Sequence, residues 1–579
     1  MNIVPVSDVL SEVGFTEPDL RVLAPTLENY TALLFQPEGN IEVDHDGIRH
    51  ADQDCANKQF AAFLNDAVEI RADIAVTPEY SMPWKTLEEQ ILAEVVPPHG
   101  SIWVLGCESI KLLELKELQA RLSSTVTIVF EDLQFDTERF LNPVAYIFFA
   151  QQSRNDKASR LVMLLQFKTC PMGDPDHFEI NGMQAGTRLY YFGNATTKLR
   201  LATLICSDAF VFLDEHAKQL YDRTLLLHIQ LNAKPRQEQF RQYRNRVWRF
   251  GGDQTELLCL NWAKDVHMRC GDSRRCWKNI SGSAWYLNPN KFDDSDETLI
   301  QSHRRGLYYT WLNSLRCHAL FFNYGPAVYQ FTATKVAHLG VTASLSCRRG
   351  PQLTETRTWD VESCRWISQD SIDDGFSTIS GECGDAELNI LTLAASNPFS
   401  VERVLALCAG KIETGQDWHV LKNLDSCSID SSEVVRRLTA CQDSEANQFR
   451  VGRLRRCRRL HTILQSSLPP ALSDLEYGFE LSWDPASPHQ NVVSSDERRA
   501  TVIYLGDSCN ESLVAQIFAL AADFLGRWFS EPNDIIEARQ RLHVWYRSDN
   551  GNDVTVNPHA YIDYDDPRSD SPFDIARSR

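Results

Sequence analysis

Between residues 30 and 262 the chain repeats one pattern: apolar runs of five to eight residues, bounded by turn-forming residues and in places separated by amphipathic stretches. Runs of that length, apolar at every position, suit strands buried on both faces. The first pair frames a helix. A strand fits 30–35, a helix fits 55–70 because Phe60, Phe63, Leu64 and Val68 recur at three- and four-residue spacing, and a strand fits 72–76, completing a βαβ unit. The pattern predicts a further helix over 86–94 and strands over 101–106, 125–130, 143–149, 161–167, 188–192, 199–206, 225–231 and 257–262, with a basic helix over 237–250. Strands over 281–287 and 327–331 complete an α/β fold.

Open α/β sheets gather their chemistry just past the C-terminal ends of strands. Three such ends carry reactive groups here: Thr77-Pro78-Glu79-Tyr80 after 72–76, Phe167-Lys168 after 161–166, and Leu204-Ile205-Cys206-Ser207-Asp208 at the end of 199–206. Each has an ordinary explanation when taken singly. A cysteine often only fills space in a core, Glu79 suits a helix N-terminus, and Lys168 suits a solvated strand end. One acid, one amine and one thiol together are the minimum set for a nucleophile that must lose a proton, attack a carbonyl-type carbon and shelter an oxyanion.

In this order, Pro78-Glu79, Lys168 and Ile205-Cys206-Ser207-Asp208 resemble the nitrilase, or carbon-nitrogen hydrolase, superfamily. Flanking stretches agree: 30–36 resembles the family's opening strand ending in Gln, 104–108 its glycine-containing strand, and Phe178-Glu179 with Gly186 and Phe192 the stretch that supplies a second glutamate. The resemblance spans residues 28–345. It implies an α-β-β-α sandwich, with Glu79 as base, Lys168 as oxyanion contact and Cys206 as nucleophile. Glu179 and Ser207 would support them, Glu179 by positioning Lys168 or substrate unless it is a surface carboxylate, Ser207 through its N–H as an oxyanion donor.

The resemblance implies hydrolysis of a non-peptide carbon-nitrogen bond through a thioester, with a small amide favoured over a nitrile as substrate. It also implies a homo-oligomer, and no cofactor or metal. Departures from the family pattern lie at Ser207, where an aromatic is usual, at Cys170, where His is common, and in a basic, inserted-looking stretch before residue 281.

With 579 residues the chain exceeds one ordinary core, so further domains are expected. The organisation read from composition is an N-terminal arm over 1–27, the hydrolase-like domain over 28–345, a linker over 346–390 and a mainly helical C-terminal domain over 391–579. In the last, helices fit 400–408, 431–441 and 450–464, and a small strand-helix-strand module fits 501–505, 511–529 and 541–547, before a charged tail from residue 564. Gly506-Asp507-Ser508 reads as a turn or helix cap rather than an esterase nucleophile block, since no Asp-x-x-His follows.

A net charge of -20 does not favour nucleic acid as a partner. The arginines at 450, 453, 455, 456, 458 and 459 fit an acidic surface, on a partner or on their own domain, better than phosphate. Those at 241, 244, 246 and 249 fit a structural or interface role. Sixteen scattered cysteines and an N-terminus without a signal-like apolar run point to a reducing cytoplasm. No apolar run approaches the ~20 residues of a membrane span. Cys270 and Cys276, with His267, lack zinc-site spacing and read as a solvated loop.

Two other functions compete with metabolic hydrolysis: a nitrilase-like effector or scaffold in a bacterial antiviral defence system, whose C-terminal domain senses a partner or nucleic acid, and an ammonia supplier of amidotransferase type, for which no synthetase motif is present.

Overall fold

The computed structural model describes residues 1–335, 350–372, 397–412 and 444–557, short stretches within them excepted. The chain divides into two compact units, Met1–Asp374 and the described residues that follow.

The first unit is built on two large sheets. Strand Asn29–Gln36 pairs in parallel with Ile74–Met82, which pairs in parallel with Ile102–Cys107. Pro143–Gln152, Asn155–Phe167 and Val126–Phe130 extend this sheet on one side, Ala327–Thr334, Gln352–Asp360 and Arg365–Gln369 on the other, to nine strands in all. The second, eight-stranded sheet has Arg200–Ile205 beside Thr224–Ile229 and Glu256–Leu260, all parallel.

Period-two alternation decides the layers. Along Pro143–Gln152, Ala145 and Ile147 join a core with Phe60, Phe63 and Leu64 of helix Gln53–Glu69. Tyr146 and Phe148, pointing oppositely, meet Phe192 of the other sheet edge to face, at 5.1 and 5.3 Å between ring centroids. Trp285 meets Phe331 between the same sheets, and helix Glu238–Phe250 lays Phe240 and Tyr243 against His228 on the second sheet's far side. The order is therefore helix, sheet, sheet, helix, the α-β-β-α sandwich expected from the resemblance.

Some expectations are corrected. The stretch 1–27 is no free arm: strand Asn2–Pro5 pairs in parallel with Arg188–Gly193, and helix Val6–Glu12 buries Val6, Val9 and Leu10. The span 346–390, expected to be a linker, contains the two strands Gln352–Asp360 and Arg365–Gln369, where Trp366 packs at 4.8 Å from Phe35. These strands are filled mostly by threonine, glutamine and charged residues, and Arg365–Gln369 is the sheet's edge, so the stretch reads as loop when only buried apolar runs are sought.

The stretch taken for a solvated loop around Cys270 and Cys276 is a hairpin, Asp265–Cys270 with Ser273–Lys278. Its first strand runs parallel to Gly39–Asp44, which pairs with Gly47–His50, so four strands form a small third sheet.

The second unit holds a five-stranded sheet in which Arg499–Tyr504 and Leu542–Arg547 run parallel, linked through helices Glu511–Trp528 and Pro532–Gln540. Helices Pro398–Cys408 and Ser444–Ser466 pack on it through Val404, Leu405, Leu454 and Leu460. The helix expected over 431–441, the tail and Ser508 lie outside the described residues. Among the described residues no helix is long and apolar enough to cross a membrane.

Candidate active site

Glu79, Lys168, Glu179 and Cys206 come from four separate segments and meet in one buried cluster. Glu79 lies within strand Ile74–Met82, Lys168 directly follows Asn155–Phe167, and Cys206 directly follows Arg200–Ile205. The first two strands belong to one sheet and the third to the other, so the cluster sits where the two sheets' strand ends face each other.

Lys168 is the hub. Its Nζ donates to Glu79 Oε1 at 2.8 Å and to both Glu179 oxygens at 2.7 Å. The remaining acceptors of Glu79 are also engaged, Oε1 by Asn142 Nδ2 at 2.8 Å and Oε2 by the Leu231 N–H at 2.7 Å. Glu179 takes a second bond from the Tyr80 hydroxyl at 2.8 Å and a third from the Met172 N–H. It is buried and holds the lysine, which removes the surface-carboxylate alternative. A buried charge persists only when paired and hydrogen-bonded, and this cluster meets that condition for all three ions.

Cys206 occupies a strained turn. Its φ of 43° lies in the left-handed region, which costs a non-glycine residue about 1–2 kcal/mol. The strain is held by bonds on both sides, the Cys206 N–H to Ile229 O at 2.8 Å and the Cys206 carbonyl to the ring of His228 at 2.9 Å.

That histidine ends a directed chain of hydrogen bonds. The Lys234 N–H donates to Asn232 Oδ1, Asn232 Nδ2 to Gln230 Oε1, and Gln230 Nε2 to His228 Nδ1, leaving Nε2–H to donate to Cys206. Burial pushes His228 down to about 3, so it stays neutral at physiological pH.

Asp208 ties the thiol's turn to the lysine's. Its Oδ1 accepts from the N–H groups of Thr169 and Cys170 at 2.7 and 2.9 Å. Ser207 is fully buried and donates its hydroxyl to the Cys170 carbonyl at 2.6 Å. The two departures from the family pattern, Ser207 and Cys170, thus contact each other, and a bulky aromatic at 207 would have to displace this link.

Burial pushes the Cys206 thiol well above its ordinary value, and the negative charge of Glu79 pushes it further, against the pull of Lys168. Burial likewise raises the Glu79 carboxyl, opposed by Lys168 and reinforced by Glu179. Burial alone would lower Lys168, but Glu179 and Glu79 outweigh it and hold the ammonium well above its usual range. Cys206 therefore rests as a thiol and Lys168 as an ammonium, with Glu79 near enough to the thiol for its charge to push that titration up.

A cavity of about 420 Å³ opens on Tyr80, Lys168, Glu179 and Cys206. That volume suits a small molecule. Ile41, Val43 and Ile48 of the small third sheet form an apolar wall, continued by Met268 and Arg275 of the hairpin.

Tyr80, Asn142, the Leu231 N–H and His228 are functional candidates that sequence reading missed. His228 and Gln230 do leave a trace, as polar residues inside the apolar run 225–231. Asn142 leaves none.

Arginines of the two runs have partners of their own. Arg244 is buried with its guanidinium over the Tyr286 ring, and Arg246 pairs with Asp214 at 2.7 Å. In the second unit Arg459 pairs with Asp553 of its own sheet.

No family model and no curated protein matches the chain. Solved structures to which it is similar include the glutamine-dependent NAD+ synthetase from Acinetobacter baumannii, at 12% identity and a TM-score of 0.31 over 66% of this chain and 56% of that one. They also include an amidase from Nesterenkonia sp., at 13% identity and a TM-score of 0.25 over 45% of this chain and 82% of that one. A Saccharomyces cerevisiae protein of branch 10 of the nitrilase superfamily gives 12% identity and a TM-score of 0.26 over 46% of this chain and 83% of that one. The chain thus spans little more than half the length of the synthetase. At these identities and TM-scores the chemistry of the site has to be argued from its own geometry.

Proposed function

We propose that the first unit is a thiol-dependent hydrolase of non-peptide carbon-nitrogen bonds, acting on small amides. The observation that carries this reading is the meeting of Glu79, Lys168 and Cys206 in one buried cluster, with Lys168 bonded to Glu79 at 2.8 Å and to Glu179 at 2.7 Å, beside a cavity of molecular size that Lys168 and Cys206 line.

In the proposed reaction the Cys206 proton passes to Glu79 as sulfur bonds to the amide carbon. The carbonyl oxygen becomes an oxyanion, for which Lys168 Nζ and the Ser207 N–H are the donors. Such a donor supplies ~3–4 kcal/mol in comparable sites. Glu79 then gives its proton to the nitrogen, the carbon-nitrogen bond breaks, and ammonia or an amine leaves a thioester on Cys206.

Water enters, Glu79 removes its proton, and hydroxide adds to the thioester carbon. Collapse expels the thiolate, which recovers the proton from Glu79. Glu179 and Tyr80 take no proton in this scheme. Their bonds keep Lys168 charged and aimed between the two carboxylates.

The test is a quenched incubation with short aliphatic amides followed by intact-mass measurement. An acyl adduct on Cys206 and ammonia release, both absent from Cys206→Ala, are the expected result. Ammonia release that persists in Cys206→Ala would overturn the reading.

A further inference from the structure

The small third sheet has two faces of opposite character. Along Gly39–Asp44 the side chains of Ile41 and Val43 are buried, while Asn40, Glu42 and Asp44 are not. Register carries each face sideways: Met268 stands beside Ile41 and Ile48 beside Val43, whereas Glu42 faces Arg49 and forms an ion pair with it at 3.7 Å. The apolar face, with Ile41, Val43, Ile48 and Met268, is the one that lines the cavity.

This wall is fixed in place. The Ile48 N–H donates to Ser109 Oγ at 2.9 Å, and the Ser109 N–H returns a bond to the Ile48 carbonyl at 3.1 Å. His50 Nε2 donates to the Ser81 carbonyl at 2.6 Å. Trp262, in the same apolar cluster as Ile41 and Val43, donates its indole N–H to the Glu79 carbonyl at 2.8 Å. The wall is thereby tied to strand Ile74–Met82, which carries Glu79, and a preformed apolar surface costs little to order on binding.

Little polar capacity is left for a distant group on a substrate. Glu179 already accepts from Lys168, Tyr80 and Met172, and Asn232 Nδ2 is bound to Gln230 at 2.9 Å. Lys234 and Arg275 are exposed, and Arg275 has an interaction of its own. A charged group laid against Ile41 and Val43 would lose its water with no partner to replace it, whereas a methylene there gains about fourfold in affinity.

We propose that the third sheet is the acyl-binding wall of this site, and that the substrate is the amide of an uncharged aliphatic acid whose chain lies along Ile41, Val43 and Met268. A cavity of about 420 Å³ takes at most roughly fourteen water-sized groups at ~30 Å³ each, room for an acyl chain of about six to eight carbons with its amide. The chain belongs to the acyl side because the acyl group stays bonded to Cys206 through both halves of the proposed reaction, whereas the amine leaves after the first. The proposal rests on the reading that Cys206 accepts the acyl group, and two measurements separate the two claims.

The first is ammonia release from acetamide, from hexanamide and from adipate monoamide, which has the reach of hexanamide but ends in a carboxylate. At about fourfold for each of the added methylenes, kcat/KM for hexanamide is expected to exceed that for acetamide by on the order of 100-fold. The adipate monoamide should fall at least tenfold below hexanamide. Met268→Gln, which makes a half-buried side chain polar, and Ile41→Thr should each lower the hexanamide-to-acetamide ratio about fourfold or more, with melting curves to show that each folds. Equal values for acetamide and hexanamide, or an adipate monoamide as fast as hexanamide, would overturn the acyl wall and leave the hydrolase reading standing. Faster cleavage of N-butylacetamide, an isomer of hexanamide, would overturn the placement of the chain on the acyl side.

The second measurement is the thermal shift given by hexanamide and by adipate monoamide to the full-length Cys206→Ala protein, with and without Met268→Gln. A larger shift with hexanamide, reduced by Met268→Gln, supports the acyl wall even if the wild-type protein releases no ammonia from any amide, an outcome that would overturn only the hydrolase reading. No shift with hexanamide, or equal shifts with the two amides, would overturn the acyl wall.

Discussion

Replacing Glu79 by Gln tests whether the Cys206 thiol depends on a local base. The thiol is buried and its titration lies well above the ordinary value of 9.0. At pH 7 a thiol of pKa 9 or more is at most ~1% thiolate, so a site relying on bulk water starts with a hundredfold handicap. With Glu79 beside it the proton moves internally, and the reaction rate should be nearly independent of pH from neutrality to about pH 8.

In Glu79→Gln the proton must leave to solvent, and the rate should climb about tenfold per pH unit over the same range. Two effects set the size of the drop at pH 7. Loss of a general base removes about 10²–10⁴, while loss of the carboxylate charge relieves part of the upward push on the thiol. The net expectation is a decrease of about 10- to 100-fold.

The assay is alkylation of Cys206 by iodoacetamide, a neutral reagent that is indifferent to the cavity's charge, followed by peptide mass spectrometry with the other cysteines as internal references. Glutamine can keep the bonds from Lys168 and Asn142 through its oxygen but turns an amide N–H toward the Leu231 N–H, so a melting curve must accompany the rates. A folded variant with the wild-type rate and the same flat pH profile would refute the argument. So would a wild-type rate that itself rises tenfold per pH unit.

A methyl group at position 106 should act on the base from behind: a Cβ there would lie 2.1 Å from the Pro78 oxygen and 2.9 Å from Glu79 Cα, so Gly106→Ala must push that strand aside. Overpacking of this kind costs ~1–3 kcal/mol, and the expected result is a lower melting temperature with a larger proportional loss of amide hydrolysis. Burial pushes Glu108 up to about 7 from 4.5, so its contribution to stability is present below pH 4.5 and is lost as pH rises through 7. The difference is worth about 3 kcal/mol as an order of magnitude. Denaturant titrations at pH 5 and 8 should show Glu108→Gln gaining on wild type at the higher pH, and a pH-independent gap would refute the assignment. His228→Leu removes the ring that donates to the Cys206 carbonyl at 2.9 Å, and should slow iodoacetamide labelling of Cys206 about tenfold. Because His228 stays neutral above about pH 3, that loss should be the same at pH 6 and pH 8.

Much of the first unit was legible because its signals are local. A strand buried on both faces is apolar at most positions, so 72–76, 143–149 and 225–231 announce themselves despite single polar residues such as Asp73 and His228. The second unit's strand-helix-strand module was visible for the same reason. Strands with one wet face, such as Asp265–Cys270 and Gln352–Asp360, carry no such signature and read as loop or linker. The strand Asn2–Pro5 was lost because only its partner Arg188–Gly193, far along the chain, makes it a strand.

At the site the division is similar. By itself the sequence determined that an acid, an amine and a thiol end three strands, because each follows an apolar run that must be buried. That Glu179 turns inward to hold Lys168, that Asn142 and Tyr80 complete the bonding, and that His228 braces the strained Cys206 turn were decided only when distant segments met. A hydrophobic period is a property of neighbours in sequence. The partner of a buried polar group is a property of neighbours in space, and the fold alone chooses those.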